Sequence, residues 1–345
     1  MQQLIEHTLD AAAVAAAHVI VSPDPHPGDL ARACVALVGV DRCSALSGGR
    51  AMAAPAVIVV GGPGEEAAMW HWAQQLGAQG VIQLPDAGPW LSERLLDLAE
   101  PVTGDTRALV LISAAGGAGA STLATAVAVR AAQSGQDPIL VDADPGAGAL
   151  ELTLGEPDLV PEPGWQRFAA VSGRLPREEL AGLPRASGVR LLGWQPHDGS
   201  ALLSPQWRNA LAAVVAAARR EAALTIVDLG RPYVDALAGL TQAHTDVIIV
   251  VPARLRSVIA ASRMRDAIGQ YWTGTPRLVV RDVGGAMSPQ QIGTILAADV
   301  VAELGSDPRC RDDEERGRPA GTRRRSAVGR CADRLLALQP HSEAA

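Results

Sequence analysis

Strand-length apolar runs alternate with helical stretches through most of this chain. His18-Val19-Ile20-Val21 and Ala56-Val57-Ile58-Val59-Val60 are strand-like, a helical stretch runs from about Glu65 to Leu76 into Gly80-Val81-Ile82-Gln83-Leu84-Pro85, and a further helix fits Trp90 to Ala99. Pro101-Val102-Thr103-Gly104-Asp105 makes a short linker. A second series follows: the apolar run Ala108-Leu109-Val110-Leu111-Ile112, a glycine turn, an alanine-rich helix to about Gln133, and the strand Pro138-Ile139-Leu140-Val141, which ends in Asp142-Ala143-Asp144-Pro145. Text rich in Pro and Gly from Glu156 to Pro184 reads as loops and short helices. Beyond it the pattern predicts a strand at Val189 to Trp194, a helix from Pro205 to Arg220, and strands at Leu224 to Gly230, Asp246 to Val251 and Arg277 to Val280. Strands and helices alternating at these lengths predict an α/β fold with parallel sheets. The breaks suggest one domain over residues 1–100, a larger one over 106–305 and a tail over 306–345.

Length and composition change that picture little. With 345 residues, 48% of them hydrophobic, the chain can bury the cores of two domains. No apolar run approaches the roughly eighteen residues that span a bilayer, and the opening Met-Gln-Gln-Leu-Ile-Glu-His has no basic region, so a cytosolic protein is expected. Cys34, Cys43, Cys310 and Cys331 form no C-x-x-C pair and are not interleaved with His at ligand spacing; they read as reduced structural thiols, without zinc or disulfide.

Charge is more informative. The formal net charge of −7 argues against nucleic acid as a partner of the whole molecule. From Arg316 to Arg334, however, seven arginines face Asp333 alone, a local +6. Within this piece Val328, Cys331, Leu335 and Leu338 stripe one helical face, while the Gly- and Pro-containing stretch from Arg316 to Gly321 suggests a flexible tether. Such a helix can lie on an anionic membrane or pack on its own domain; the absence of Trp or Phe anchors favours packing.

The candidate chemistry begins at Gly116-Gly117-Ala118-Gly119-Ala120-Ser121-Thr122, between a strand and a helix. In that setting backbone amides and the helix N-terminus cradle phosphates, and a lysine before the Ser/Thr adds a point charge. Here that position is Ala120, and no lysine exists elsewhere, since all 30 Lys-plus-Arg residues are arginine. Two further strand ends carry acids, Asp142 with Asp144 and Asp228, and acids at successive strand ends converge on one crevice. For a nucleoside triphosphate, Ser121 would sit on magnesium, Asp228 would hold a magnesium-bound water, and Asp144 would orient the attacking water. Taken singly, Asp144 before Pro145-Gly146 fits a turn equally well, and Asp228 before Leu229-Gly230 fits a cap. Arg231, Arg254 and Arg256 follow strand ends near the crevice and are either phosphate clamps or solvated surface residues.

Ala114 to Thr122 resembles the deviant Walker A loop of the MinD/ParA family, usually GKGGxGK followed by two Ser/Thr. Val141 to Glu151 resembles that family's switch I segment, Thr225-Ile226-Val227-Asp228 its Walker B strand, and Val250-Val251-Pro252-Ala253 to Ala267 the strand and helix that follow. With the first domain included, the layout is similar to CpaE-like proteins and related septum site-determining proteins, in which a degenerate receiver-like (CheY-like) domain precedes such a module. The resemblance implies ATP or ADP with Mg2+, bound by Gly116 to Thr122 and Asp142, and a regulator that positions a septum or a Tad-type pilus and secretion apparatus. It also implies nucleotide-dependent homodimers, partners from the division or pilus machinery, and a cytoplasmic location that extends to the inner membrane face. Three departures limit it: the loop lysine is Ala120, the lysine that reaches across the family's dimer is Ala115, and the first loop glycine is Ala114. Binding can survive these losses while hydrolysis fails.

The first domain departs as well. A phospho-accepting receiver needs an aspartate where Gly61 stands and a lysine where Leu84 stands, and Asp24 lacks its acidic partner. Two other readings are carried forward: a competent ATPase using an arginine, and a nicotinamide-dependent oxidoreductase in which Gly117-x-Gly119 and Asp142 or Asp144 form a dinucleotide fingerprint. The latter puts Thr122 where a third glycine belongs and gives Asp228 no role.

Overall fold

A computed structural model describes residues 35–46, 56–78, 80–88, 91, 106–146, 150–169, 171, 175–195, 206–240, 245–272, 274–282, 284 and 287–339. The chain divides into two compact units, Met1–Pro101 and Val102–Ala345. The strand expected at 18–21, Asp24, Cys34, the linker at 101–105 and nearly all of the helix expected at 90–99 lie outside the described residues.

In the first unit β1 (Val35–Gly39), α1 (Cys43–Leu46), β2 (Ala56–Gly61), α2 (Glu66–Leu76) and β3 (Gly80–Gln83) build a parallel sheet in the order β1-β2-β3. Successive side chains of a strand point to opposite faces. Ile58 and Val60 therefore join Ile82, Leu84 and Leu91 on one side, and Val59 joins Val38, Cys43, Met69 and Ala73 on the other. A β-carbon at Gly61 would stand 2.4 Å from Met69 Sδ, so the strand end where a receiver carries its aspartate is filled by packing. Leu84 is fully buried, an apolar contact where a receiver carries its lysine.

Among the described residues of the second unit there are eight strands. They are β4 (Arg107–Ser113), β5 (Ile139–Ala143), β6 (Arg185–Ala186), β7 (Val189–Leu192), β8 (Leu224–Leu229), β9 (Thr245–Pro252), β10 (Arg277–Arg281) and β11 (Val300–Leu304). Their order is β11-β10-β9-β4-β8-β5-β7-β6; β6 and β7 pair antiparallel, and the other described pairs are parallel. Both faces are covered, which is why the strands read as unbroken apolar runs. Ala108, Val110 and Ile112 face a core shared with α6 (Gln206–Glu221), α7 (Leu255–Ile268) and α8 (Pro289–Leu296). Leu109 and Leu111 face the opposite core, built with α3 (Ala120–Gln133) and α10 (Ala327–Leu336). The shorter helices are α4 (Leu150–Thr153), α5 (Trp165–Phe168) and α9 (Pro308–Glu315).

The end of the chain corrects the expectation of a tethered appendage. Val328, Cys331, Ala332 and Leu335 are buried in the core that contains α3, so the stripe is covered by protein and is not free to lie on a membrane. The stretch from Arg316 to Gly321 packs through its glycines. Gly317 and Gly321 sit at positive φ (64° and 82°), and a β-carbon on Gly321 would come within 2.8 Å of Ala126 Cα. Arginines counted as surplus charge find acids just upstream: Arg323 lies 2.6 Å from Asp313 and 3.6 Å from Asp307, and Arg318 lies 3.7 Å from Asp313. Arg130 of α3 reaches Asp333 at 2.8 Å. The carbonyl end of α10 is held by Arg107, whose Nη1 donates to Leu335 and Leu338 at 3.0 Å each, and by Arg277, which donates to Gln339 at 3.1 Å. Cations at a helix C-terminus complement its dipole.

Candidate functional site

β4 lies between β8 and β9, so the chain turns to opposite sides of the sheet around it. In open parallel sheets that switch point is where ligands bind. The loop Ala114–Gly119 leaves the carboxyl end of β4 there, tied to β9 by the Ala114 amide donating to the Val250 carbonyl at 2.9 Å. Gly117 (φ 68°) and Gly119 (φ 92°) take left-handed conformations that β-carbons would strain. Gly119 caps α3 without any side-chain acceptor, which leaves the first amides of a 14-residue helix for a ligand. Ala118 and Ala120 are buried against the α3 core, whereas Gly116 and Gly117 are exposed.

The acids gather beneath this loop. Asp142 and Asp228 are register partners on β5 and β8, placed side by side. Both are buried, and the Ser121 hydroxyl hydrogen-bonds the Asp228 carboxylate. Burial pushes Asp228 up to about 6, against the pull of the Ser121 bond. Burial first, then the Asp228 charge beside it, holds Asp142 well above the usual carboxylate range. Asp144 sits differently: its Oδ1 accepts from the Gly146 amide at 3.1 Å, and its carboxylate lies against Gly230, where a β-carbon would be 2.5 Å from Asp144 Cγ.

Among the described residues no group of three or more His, Cys, Asp or Glu is arranged to hold a metal ion. Magnesium keeps several waters and takes few protein ligands, and a hydroxyl such as that of Ser121, bonded to Asp228, is of the kind it takes. The cradle and acids thus suit a magnesium nucleotide, although the loop supplies no cation of its own.

Two features lie beyond the sequence-level candidates. The carbonyl oxygen of Asp142 accepts two indole N–H bonds, from Trp165 at 2.6 Å and Trp194 at 3.0 Å. These rings stack on each other and meet Trp207 edge-on; Trp207 meets Tyr233, whose ring lies under the Arg208 guanidinium at 5.2 Å. The only sequence signal was compositional, seven tryptophans against one phenylalanine. The second feature is basic. The Arg231 guanidinium stands 3.9 Å from where a β-carbon on Gly116 would be, and Arg281, absent from the sequence candidates, donates through Nη1 to the Gly117 carbonyl. Arg254 and Arg256 are exposed at the start of α7.

The buried acid gives a prediction for the nucleotide-free protein. An acid whose folded value is raised keeps its proton between about pH 4 and pH 6 while the unfolded chain loses it, so stability falls as pH rises through that window. The shift from 3.8 to about 6 corresponds to about 3 kcal/mol lost by neutral pH. Asp228→Asn keeps the bond to Ser121 without the charge and should be about 1–3 kcal/mol more stable than the parent at pH 7.5, yet close to it at pH 4. Urea unfolding at both pH values measures this; equal stability at pH 7.5 would count against a destabilising charge there.

Comparisons with known proteins agree with this architecture. Residues 1–106 match the model of the Rv3660c-like, CheY-like N-terminal domain. Among solved structures, a ParA family ATPase from Chlorobium tepidum superposes with a TM-score of 0.58 at 17% identity, covering 68% of this chain and 99% of that one. The septum site-determining protein MinD complexed with Mg-ADP from Pyrococcus horikoshii gives 0.54 at 17%, covering 67% and 94%. A chain of the MinC:MinD cell division protein complex of Aquifex aeolicus gives 0.52 at 19%, covering 69% and 99%. At these identities the likeness is one of fold: a CheY-like N-terminal domain joined to a MinD/ParA-type P-loop fold. Rv3660c of Mycobacterium tuberculosis H37Rv is 30% identical over 285 residues, 81% of this chain and 78% of the relative, and MT3760 of strain CDC 1551 matches equally. On that identity and coverage, the chain belongs to the Rv3660c-like family.

Proposed function

We propose that this protein is a MinD/CpaE-like regulatory protein that binds ATP or ADP with Mg2+ weakly and hydrolyses ATP poorly or not at all. The observation that carries the reading is the uncapped start of α3 beneath a glycine loop, with Ser121 bonded to Asp228. Gly116 to Thr122 would contact the phosphates, Ser121 the magnesium and Asp228 its water, with Asp142 beside Asp228 as a further nucleotide-binding residue. Asp144 is the candidate for orienting water, although its carboxylate is engaged with Gly146. Because the loop lysine is Ala120, transition-state charge would lack its main stabiliser.

The proposed task is placement of a septum or of a pilus and secretion apparatus, in the cytoplasm, through protein partners and nucleotide-dependent dimers. Septum placement has the better support, because solved proteins of similar fold carry that description. We assign residues 1–100 to partner docking and not to phosphate acceptance, 106–305 to nucleotide, and 306–345 to a basic end that completes the second unit.

Calorimetry of the purified protein with ATP, ADP and NADH, with and without magnesium, tests the reading. Magnesium-dependent heat with ATP and ADP and none with NADH is expected. Silence with millimolar MgATP together with binding of NADH would replace it by the oxidoreductase reading.

A further inference from the structure

Arg281 ends β10, two strands away from β4, and strand register explains how it reaches the loop. Ser113 pairs with Val250 and Arg281 pairs with Pro252, two residues further along β9, which sets Arg281 level with the first residues of the loop. From there its Nη1 donates to the Gly117 carbonyl and stands 3.3 Å from where a β-carbon on Gly119 would be. The bond engages a carbonyl and leaves the loop amides free. Among the described residues no carboxylate pairs with Arg281, and its neighbour Asp282 is engaged with the Gly284 amide at 2.9 Å. A guanidinium has five donors in a fixed fork, so most remain available.

The surroundings need such a cation. Asp142 and Asp228 are buried side by side with the Asp144 charge close to both, and a polyphosphate entering this field meets no lysine. Arg231, beside Gly116, is exposed, whereas Arg281 is half-buried and already fixed to the loop. Ordering it costs less per hydrogen bond formed.

We propose that Arg281 is the cation of the phosphate loop, holding Gly117 by its carbonyl and donating to the phosphate oxygens of a bound adenosine di- or triphosphate in place of the lysine missing at Ala120. The assignment rests on the nucleotide-binding reading above and adds the residue that makes it electrostatically workable.

The test is calorimetric, with MgADP, MgATP and magnesium tripolyphosphate at low and moderate salt, on the parent, Arg281→Ala, Arg281→Lys and the double variant Arg281→Ala/Ala120→Lys. Arg281→Ala should weaken MgATP and tripolyphosphate by about tenfold or more, the size of a lost charge-assisted contact. It should also flatten the salt dependence, since a screened charge has been removed. Arg281→Lys, and lysine at position 120 in the double variant, should each recover affinity and salt dependence. An affinity within twofold of the parent in Arg281→Ala would overturn the assignment. So would a loss with unchanged salt dependence that neither lysine repairs, which would reduce Arg281 to a brace for the loop. A parent that binds none of the three ligands overturns this assignment and the nucleotide reading together; a parent that binds while ignoring Arg281 overturns the assignment alone.

Discussion

Asp246→Ala is expected to destabilise the second unit by about 3–5 kcal/mol, the cost of breaking a buried ion pair by removing one partner. Asp246 is fully buried at the start of β9, 2.9 Å from Arg107 and 3.0 Å from Arg277. Both arginines are nearly buried, and both hold the carbonyl end of α10 through Leu335, Leu338 and Gln339. Without the carboxylate two guanidinium charges share the interior uncompensated, and one response is for the end of α10 to move away and admit water. Urea unfolding should register the loss, and hydrogen exchange should show residues 327–339 losing protection before the strands do. A change below about 1 kcal/mol, or uniform protection, would mean that α10 is held by its apolar stripe alone.

The packed helix at the end of the chain is the reading that sequence favours, but the contacts that hold it, and the packing of Arg316 to Gly321 in place of a tether, are not legible there. Arg107, Asp246 and Arg277 are far apart in the chain and meet only because β4, β9 and β10 start at the same edge of one sheet. The charge of 316–334 looked unbalanced because Asp307 and Asp313 lie just outside that window. The stripe itself was visible, since periodicity marks which residues seek an apolar surface but not whether protein or lipid provides it. The inner strands were readable for a simpler reason. β4, β8 and β9 are buried on both faces, so each is an apolar run bounded by turn residues. β11 went unseen because it lies at the sheet edge with Glu303 exposed, and Val300-Val301-Ala302-Glu303-Leu304 barely differs from the text around it. β1 was likewise missed.

The site divides the same way. The glycine loop and the acids at the ends of β5 and β8 are short, local features, and the structure brings Ser121, Asp142 and Asp228 together. Contributions from other strands and loops left no local trace. Arg281 is 164 residues from Gly117, and Trp165 and Trp194 reach Asp142 from two separate segments. For Asp144 the turn with Gly146 is formed, so the residue has a structural occupation as well as a candidate catalytic one.

Ala120→Lys should raise ATP turnover from near background by about tenfold to a hundredfold, because a loop lysine gains most where the transferring phosphoryl group gathers charge. The backbone is ready for it: Gly119 is already at φ 92° and Ala120 already opens α3, so only the side chain is new. Ala120 is 3% exposed, however, and the lysine must leave the α3 core through the loop mouth toward the exposed Gly116 and Gly117. Single-turnover hydrolysis read alongside MgATP affinity separates the outcomes. A rise in both rate and affinity fits a site that lacked only its cation. Tighter binding with no faster hydrolysis would move the defect to Asp144, whose carboxylate would first have to let go of the Gly146 amide to orient water. If the parent already hydrolyses ATP efficiently, an arginine is acting in catalysis, and alanine substitutions at Arg231, Arg254, Arg256 and Arg281 would identify it. Arg281 and Arg231 would then be the first two to examine, because their guanidinium groups already stand at the loop.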